Sequence, residues 1–205
     1  MRFIAFDLET TGFVAGSDRI VEIGAVKFNN DAVEAIFSTL VQPNKAMPSG
    51  ASKVNGIYDK DLIGKPLIED LLKPFTEFCE DLILVAHNAP FDTQFLTADI
   101  TKHESPAPNG IILDTLSIAR KVYPGLPNYK LGTLVQHLDI PAGEFHRAEV
   151  DASYCGQLFY KMMVKMTGTN EMPSIENLVK LTGKPQLELP QITPQPKQLN
   201  FLDML

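Results

Sequence analysis

Asp7 and Glu9 stand two residues apart in RFIAFDLET, a segment that is apolar at Phe3, Ile4, Ala5, Phe6 and Leu8. In a strand, a spacing of two places both carboxylates on the same face. Two acids at the end of a buried strand repel one another and are poorly solvated, so the pair calls for a cation or a shared proton, unless the strand end is simply solvated. Two further acids have comparable settings. Asp92 follows the apolar run LILVA in the first turn of an expected helix, and Asp151 lies in the first turns of the helix that His146 precedes. Taken singly, each is explained by the preference for an acid near a helix N-terminus. Only if all four converged would the cluster need cations, and their joint pattern in the chain is what bears on that.

The elements that must position these residues follow from hydrophobic patterning. RFIAFDLET reads as a strand buried on both faces whose far end turns acidic. IVEIGAVKF (20–28) and AIFSTLVQP (35–43), separated by the turn-rich NNDA, complete an antiparallel three-strand meander. Pro43, Pro48, Gly50 and Gly56 make the following stretch irregular. Helical periodicity returns at Leu67, Leu71, Leu72, Phe75 and Phe78, with Pro74 expected to kink or restart the helix. LILVA (82–86) is a short buried strand leading into a helix with Pro90 near its first position. IIL (111–113) is another strand. Helices are expected over about 115–122, over 131–138, and over 148–166, the last with Cys155, Leu158, Phe159, Met162 and Met166 as a core-facing stripe. The pattern predicts an α/β domain, a mixed sheet flanked by helices, over residues 1–168. Residues 169–205 contain Pro173, Pro185, Pro190, Pro194 and Pro196 around one short helical pattern, SIENLVKL, and read as a Pro-rich C-terminal tail.

Composition limits the alternatives. The chain has 205 residues, 44% of them hydrophobic, enough for one substantial core. No apolar stretch is long enough to span a membrane and the acidic N-terminus is not a signal peptide, so a soluble, cytoplasmic protein is expected. Cys79 and Cys155 lack metal-ligand spacing and read as reduced core thiols. A net charge of −7 argues against coating long duplexes, but not against gripping a few nucleotides beside a carboxylate cluster whose local sign reverses when cations bind.

The three motifs FDLETTG, AHNAPFD and HRAEVDA, in that order, resemble those of the DnaQ-like proofreading exonucleases, in the branch with a histidine five residues before the last aspartate. The resemblance covers about residues 1–168. It implies a ribonuclease H-like fold, with Asp7, Glu9, Asp92 and Asp151 as metal-binding carboxylates and His146 as general base. Thr10 and Thr11 match a substrate-contacting step, and His87 and Asn88 match a pair that shapes the site. It also implies two divalent ions; all-oxygen donors favour Mg²⁺ or Mn²⁺ over zinc. The expected activity is 3'-5' exonuclease action on single-stranded DNA 3' ends, with RNA or short oligonucleotides as the rival substrate and a non-catalytic tether for a DNA polymerase or sliding clamp as the rival role. Leu8, Phe13 and Phe91 could pack on the last bases, and Lys53, Lys130 and Arg147 could meet phosphates. The loop VNGIYDKDL departs from the family pattern, since Asn55 stands where a histidine is common.

The tail ends in PKQLNFLDML, with apolar residues after a Pro-rich linker. Gln198, Leu199, Phe201 and Leu202 are similar to the short glutamine-led peptide by which bacterial replication proteins bind the sliding clamp; a tail that packs on its own domain or on a second copy is the alternative.

Overall fold

The computed structural model of the chain describes residues 1–143 and 145–192. β1 (Arg2–Thr10) pairs antiparallel with β2 (Ile20–Asn29), which pairs antiparallel with β3 (Ala32–Leu40). The two-residue link Asn30-Asp31 closes the second hairpin, with Asn30 at a φ of 58°, a left-handed conformation that asparagine tolerates. β4 (Leu84–Ala86) and β5 (Ile112–Asp114) continue the sheet in parallel, giving the order β3-β2-β1-β4-β5. The expected meander and parallel strands are therefore present, with β1 at the centre.

A central strand must be covered on both faces, and the alternation in β1 sorts its side chains accordingly. Ile4, Phe6 and Leu8 join Ile23 and Leu84 in one core, closed by Leu72 and Phe75 of α3 (Ile68–Cys79) and Phe95 of α4 (Ala89–His103). Phe3 and Ala5 face the opposite core with Val26 and Phe28. That side is covered by α5 (Thr115–Val122), α6 (Leu131–His137) and α7 (Ala148–Thr167). Phe3 stacks on Phe28 at 5.2 Å and meets Phe159 edge-on at 4.9 Å. Each fully buried phenylalanine contributes roughly 1.5–3 kcal/mol. The stripe of α7 is core, since Cys155, Leu158, Phe159 and Met162 are buried and Met166 packs against them partly buried. Cys79 and Cys155 are buried in opposite cores.

Three expectations are modified. The stretch read as irregular holds two short helices, Ser49–Asn55 and Asp59–Leu62, the first bounded by Pro48 and by Gly56 in the left-handed region, residues whose conformations suit helix ends. The third helix does not restart at Pro74; α3 runs through it, and the missing N–H removes only the bond to the Asp70 carbonyl. After Gly168 the chain does not leave the domain at once. A last helix, α8 (Ile175–Thr182), buries Leu178 against the α7 side of the core, Leu187 exchanges backbone hydrogen bonds with Ile112, and Leu189 is 3% exposed. The proposed boundary at 168 thus marks a change of composition, while residues 175–189 remain packed on the domain. Among the described residues, no helix is long and apolar enough to cross a membrane. Gln198, Leu199, Phe201 and Leu202 lie outside the described residues.

Candidate active site

The site forms where β1 leaves the core. Asp7 and Glu9 continue the face that begins with Phe3 and Ala5, so they point toward α7, while Leu8 between them packs on the α4 side. Cross-strand, Asp7 faces Gly24 and Glu9 faces Glu22. Asp92, in the first turn of α4, is drawn to the same strand because the Leu8 N–H donates to its Oδ1 at 3.1 Å. Asp151, in the first turn of α7, accepts the His146 N–H through Oδ2 at 2.7 Å. The ligand atoms of Glu9, His146 and Asp151 lie within 4.8 Å of one another.

Two glycines let α7 come close enough for this. A Cβ on Gly24 would stand 2.1 Å from the Ala148 carbonyl carbon and the Glu149 nitrogen, and one on Gly156 would stand 2.1 Å from the Phe28 ring. The start of α7 therefore lies on bare β2 backbone, directly beside Asp7's cross-strand partner.

Electrostatics mark the four acids as one group. Burial, then the charges of Asp92, Asp151 and Glu9, hold Asp7 well above the usual carboxylate range. Burial, with Asp151 and Glu22 adding to it, pushes Glu9 up to about 7. Asp92 is raised by burial against the pull of the Leu8 N–H, and Asp151 by burial against the pull of the His146 N–H. Acids gathered so closely are destabilising until protonated or neutralised, and a set of carboxylate oxygens suits hard divalent cations. The residues thus fit a metal centre.

The acids and His146 line a cleft of about 630 Å³ together with Phe91 and Lys130. A second hollow of about 390 Å³ adjoins it, sharing Leu8, Glu9 and Phe91 and lined further by Thr10, Thr11, Phe13 and Asn55. The hydroxyls of both threonines serve the loop that follows: Thr10 donates to the Gly12 carbonyl, and Thr11 donates to Asp18 and accepts from the Arg19 N–H. Asn55, 3% exposed, donates to the Thr10 carbonyl, so the residue that departs from the family pattern supports the wall of this hollow. Phe13 is 84% exposed and rests edge-on against Phe91 at 6.3 Å, whereas Leu8 is core.

His87 lines the main cleft with both ring nitrogens committed, Nδ1 to the Thr115 hydroxyl at 2.9 Å and Nε2 to the Tyr129 carbonyl at 2.8 Å. A carbonyl only accepts, so Nε2 carries the proton, and burial lowers the pKa of the ring. Asn88 is exposed, in the left-handed region, and its N–H donates to Asp114. These two residues tie the β4–α4 turn to its neighbours.

Three contributors escaped the sequence reading. Asp114 accepts from the Asn88 and Ala89 N–H groups at the start of α4 and from the Leu116 and Ser117 N–H groups at the start of α5, fixing the turn that carries Asp92. Glu22, 1% exposed, pairs with Arg147, so that guanidinium is engaged with the protein. Gly24 provides the crossing point. The signal for Glu22 was available, as a lone acid in the otherwise apolar IVEIGAV.

The family model described as exonuclease matches residues 4–159. The chain belongs to the exonuclease family. It is 38% identical over 186 residues to the DNA polymerase III subunit epsilon of Treponema pallidum, covering 86% of each chain. It is 40% identical over 164 residues to the PolC-type DNA polymerase III of Caldanaerobacter subterraneus subsp. tengcongensis, covering 80% of this chain but only 12% of that much longer protein. Among solved structures, exonuclease X in complex with 5' overhanging duplex DNA superposes with a TM-score of 0.66 at 26% identity, over 89% of this chain and 99% of that one. Escherichia coli exonuclease I in complex with a dA16 oligonucleotide shares the fold, with a TM-score of 0.67 at 17% identity over 78% of this chain and 41% of that one. The ribonuclease H-like fold and the divalent-metal dependence of exonucleases of this family agree with the mixed sheet and the convergent acids.

Proposed function

We propose that this exonuclease removes nucleotides one at a time from single-stranded DNA 3' ends, releasing nucleoside 5'-monophosphates, in the cytoplasm and in a proofreading, repair or end-trimming role. One observation carries the reading: Asp7, Glu9, Asp92 and Asp151, from three separate elements, gather with His146 at one end of β1 inside an open cleft. Asp7, Glu9, Asp92 and Asp151 would hold two divalent ions, Mg²⁺ or Mn²⁺. When bound, such ions stabilise charge on the reacting phosphate and the leaving 3' oxygen and lower the pKa of water. His146, at the cleft mouth, takes the proton of the attacking water. Thr10, Thr11 and Asn55 shape the hollow that receives the terminal nucleotide, while His87 lines the main cleft and Asn88 holds the turn that leads to Asp92. Phe13 offers an exposed ring for stacking a base.

The relatives support the setting, since one is a subunit of DNA polymerase III and the other a PolC-type DNA polymerase III, and this chain would work beside a DNA polymerase. Gln198, Leu199, Phe201 and Leu202 remain a proposed clamp-binding peptide. Removing residues 197–205 should abolish binding to a bacterial sliding clamp and leave digestion intact; clamp affinity that does not change on removal discards the peptide's role.

The activity is tested with a 3'-labelled single-stranded DNA, with and without Mg²⁺ or Mn²⁺, beside RNA of equal length and blunt duplex. Stepwise, metal-dependent shortening of the DNA is expected. Faster digestion of RNA would reassign the substrate, and no shortening with either metal would remove the enzymatic reading.

A further inference from the structure

His146 reaches the cleft from an unusual piece of backbone. Its φ is +67°, in the left-handed region that non-glycine residues seldom adopt, and its side chain is exposed at the cleft mouth. Such a conformation persists only where the surroundings impose it. One restraint is local, the hydrogen bond from its own N–H to Asp151. The next residues are held from a distant part of the sequence. Arg147 donates to Glu22 through Nη2 at 2.7 Å and through Nε at 3.1 Å, and the Ala148 N–H donates to the other Glu22 oxygen at 3.0 Å. The residue at the N-cap of α7, Arg147, supplies no side-chain cap of its own. Glu22 supplies that function from β2, across the helix–sheet contact.

This bond set is unusual for its location. Glu22 is 1% exposed and lies cross-strand from Glu9, so it adds a fifth negative group beside four that already repel, and its charge is among the causes that raise Asp7, Glu9 and Asp151. The buried Glu22 carboxylate is compensated by the Arg147 guanidinium and the Ala148 N–H that it holds. What it does, geometrically, is fix residues 146–148 relative to the strand that carries Asp7 and Glu9.

We propose that Glu22 is a positioning residue for catalysis: by holding Arg147 and the Ala148 N–H it fixes the chain next to His146 to β2, so that the imidazole stays over Glu9 and Asp151. The other anchor of the 141–147 loop is at its far side, where the Gly143 N–H donates to the Tyr154 hydroxyl. Between the two anchors Phe145 packs on the Tyr154 ring at 4.9 Å, and among the described residues the hydrogen bond from the His146 N–H to Asp151 is the restraint on His146 itself. The clamp rests on the reading of His146 as the base, and a misplacement of about 1 Å at such a group lowers rate by as much as roughly a hundredfold.

The test is a double-mutant cycle on single-stranded DNA digestion, with Glu22→Ala, Glu22→Gln and His146→Ala. Glu22→Ala should lower kcat by roughly tenfold to a hundredfold with KM for DNA and the Mn²⁺ midpoint changed less than about threefold. Glu22→Gln, which keeps an acceptor for the Ala148 N–H, should recover most of the loss. In a His146→Ala background, Glu22→Ala should lower the residual rate by less than about twofold, because the residue it positions is gone. Equal losses in the two backgrounds, or a loss seen mainly in the Mn²⁺ midpoint, overturn the proposal and assign Glu22 to fold or metal binding. Full activity of His146→Ala would instead remove the base itself, a failure distinct from that of the clamp. Should Glu22→Ala not fold, Arg147→Ala in the same cycle reads the same coupling.

Discussion

Gly24 lies cross-strand from Asp7, and it is at Gly24 that the first residues of α7 cross the sheet. The absence of one side chain therefore sets the distance between the carboxylate of β1 and those carried by the helix. Any Cβ at this point meets backbone at 2.1 Å, so the helix, rather than a flexible side chain, would have to move.

Gly24→Ala should accordingly displace the start of α7 while the rest of its length stays packed through Leu158 and Phe159. Overpacking of this kind lowers stability by about 1–3 kcal/mol, and the shift of Asp151 and His146 should reduce kcat by on the order of a hundredfold. Thermal unfolding and single-strand digestion measured together check this; wild-type activity in the alanine variant would show that the helix approach does not govern the site.

Asp7→Asn should abolish metal-dependent digestion, by at least ~10³-fold, since a carboxylate central to the group is lost. The same change removes a buried charge that its neighbours oppose, so in chelator the variant should melt no lower than the unmodified chain. Surviving activity, or a protein that unfolds, would count against the role given to Asp7.

The raised acids make stability depend on pH in a definite direction. In the unfolded chain carboxylates titrate near 4, whereas Glu9 in the fold is pushed up to about 7 and Asp7, Asp92 and Asp151 are also raised, burial being the largest cause in each. Groups whose folded pKa lies above the unfolded value stabilise fully below the unfolded value and lose that contribution as pH rises through the folded one. The metal-free protein should thus melt at progressively lower temperature from about pH 5 to about pH 8, and Mg²⁺ or Mn²⁺ should restore stability most at the upper end, where the acids are ionised and bind without displacing protons. Melting curves in chelator and in excess Mn²⁺ at several pH values test it. A gap between the two conditions that does not widen with pH would contradict the account.

Phe13→Ala should leave the melting temperature unchanged, because the ring is 84% exposed, and should raise KM for single-stranded DNA about threefold to tenfold with little change in kcat, in line with the loss of about 1 kcal/mol of base stacking. An unchanged KM would mean that the strand enters by another route.

How much of this was legible in the sequence can be judged element by element. The meander was readable because near-continuous apolar runs bounded by turn residues report strands, the helix over 115–122 because Pro124 bounds it, and the long helix from Ala148 because its apolar residues recur at helical spacing. The helix at 49–55 was not, since Gly50 and the flanking Pro48 and Gly56 carry no periodicity and its buried residues, Ser52 and Asn55, are polar. Likewise the packing of Leu178, Leu187 and Leu189 was hidden by the prolines around them, whose compositional signal says nothing about what the intervening leucines touch.

For the site, strand parity made Asp7 and Glu9 readable as a pair, whereas Asp92, Asp151 and His146 were joined to them only by the order of the motifs FDLETTG, AHNAPFD and HRAEVDA and the family resemblance these carry, since an acid at a helix start has an ordinary use of its own. Their actual convergence was decided only in three dimensions. Leu8 fastens Asp92 to β1, Gly24 admits α7, and Glu22 reaches 125 positions along the chain to Arg147. Each of those contacts joins residues whose separation in sequence carries no period, so local pattern cannot report them; they arise only when the sheet and its helices pack and leave each buried polar group to find its partner.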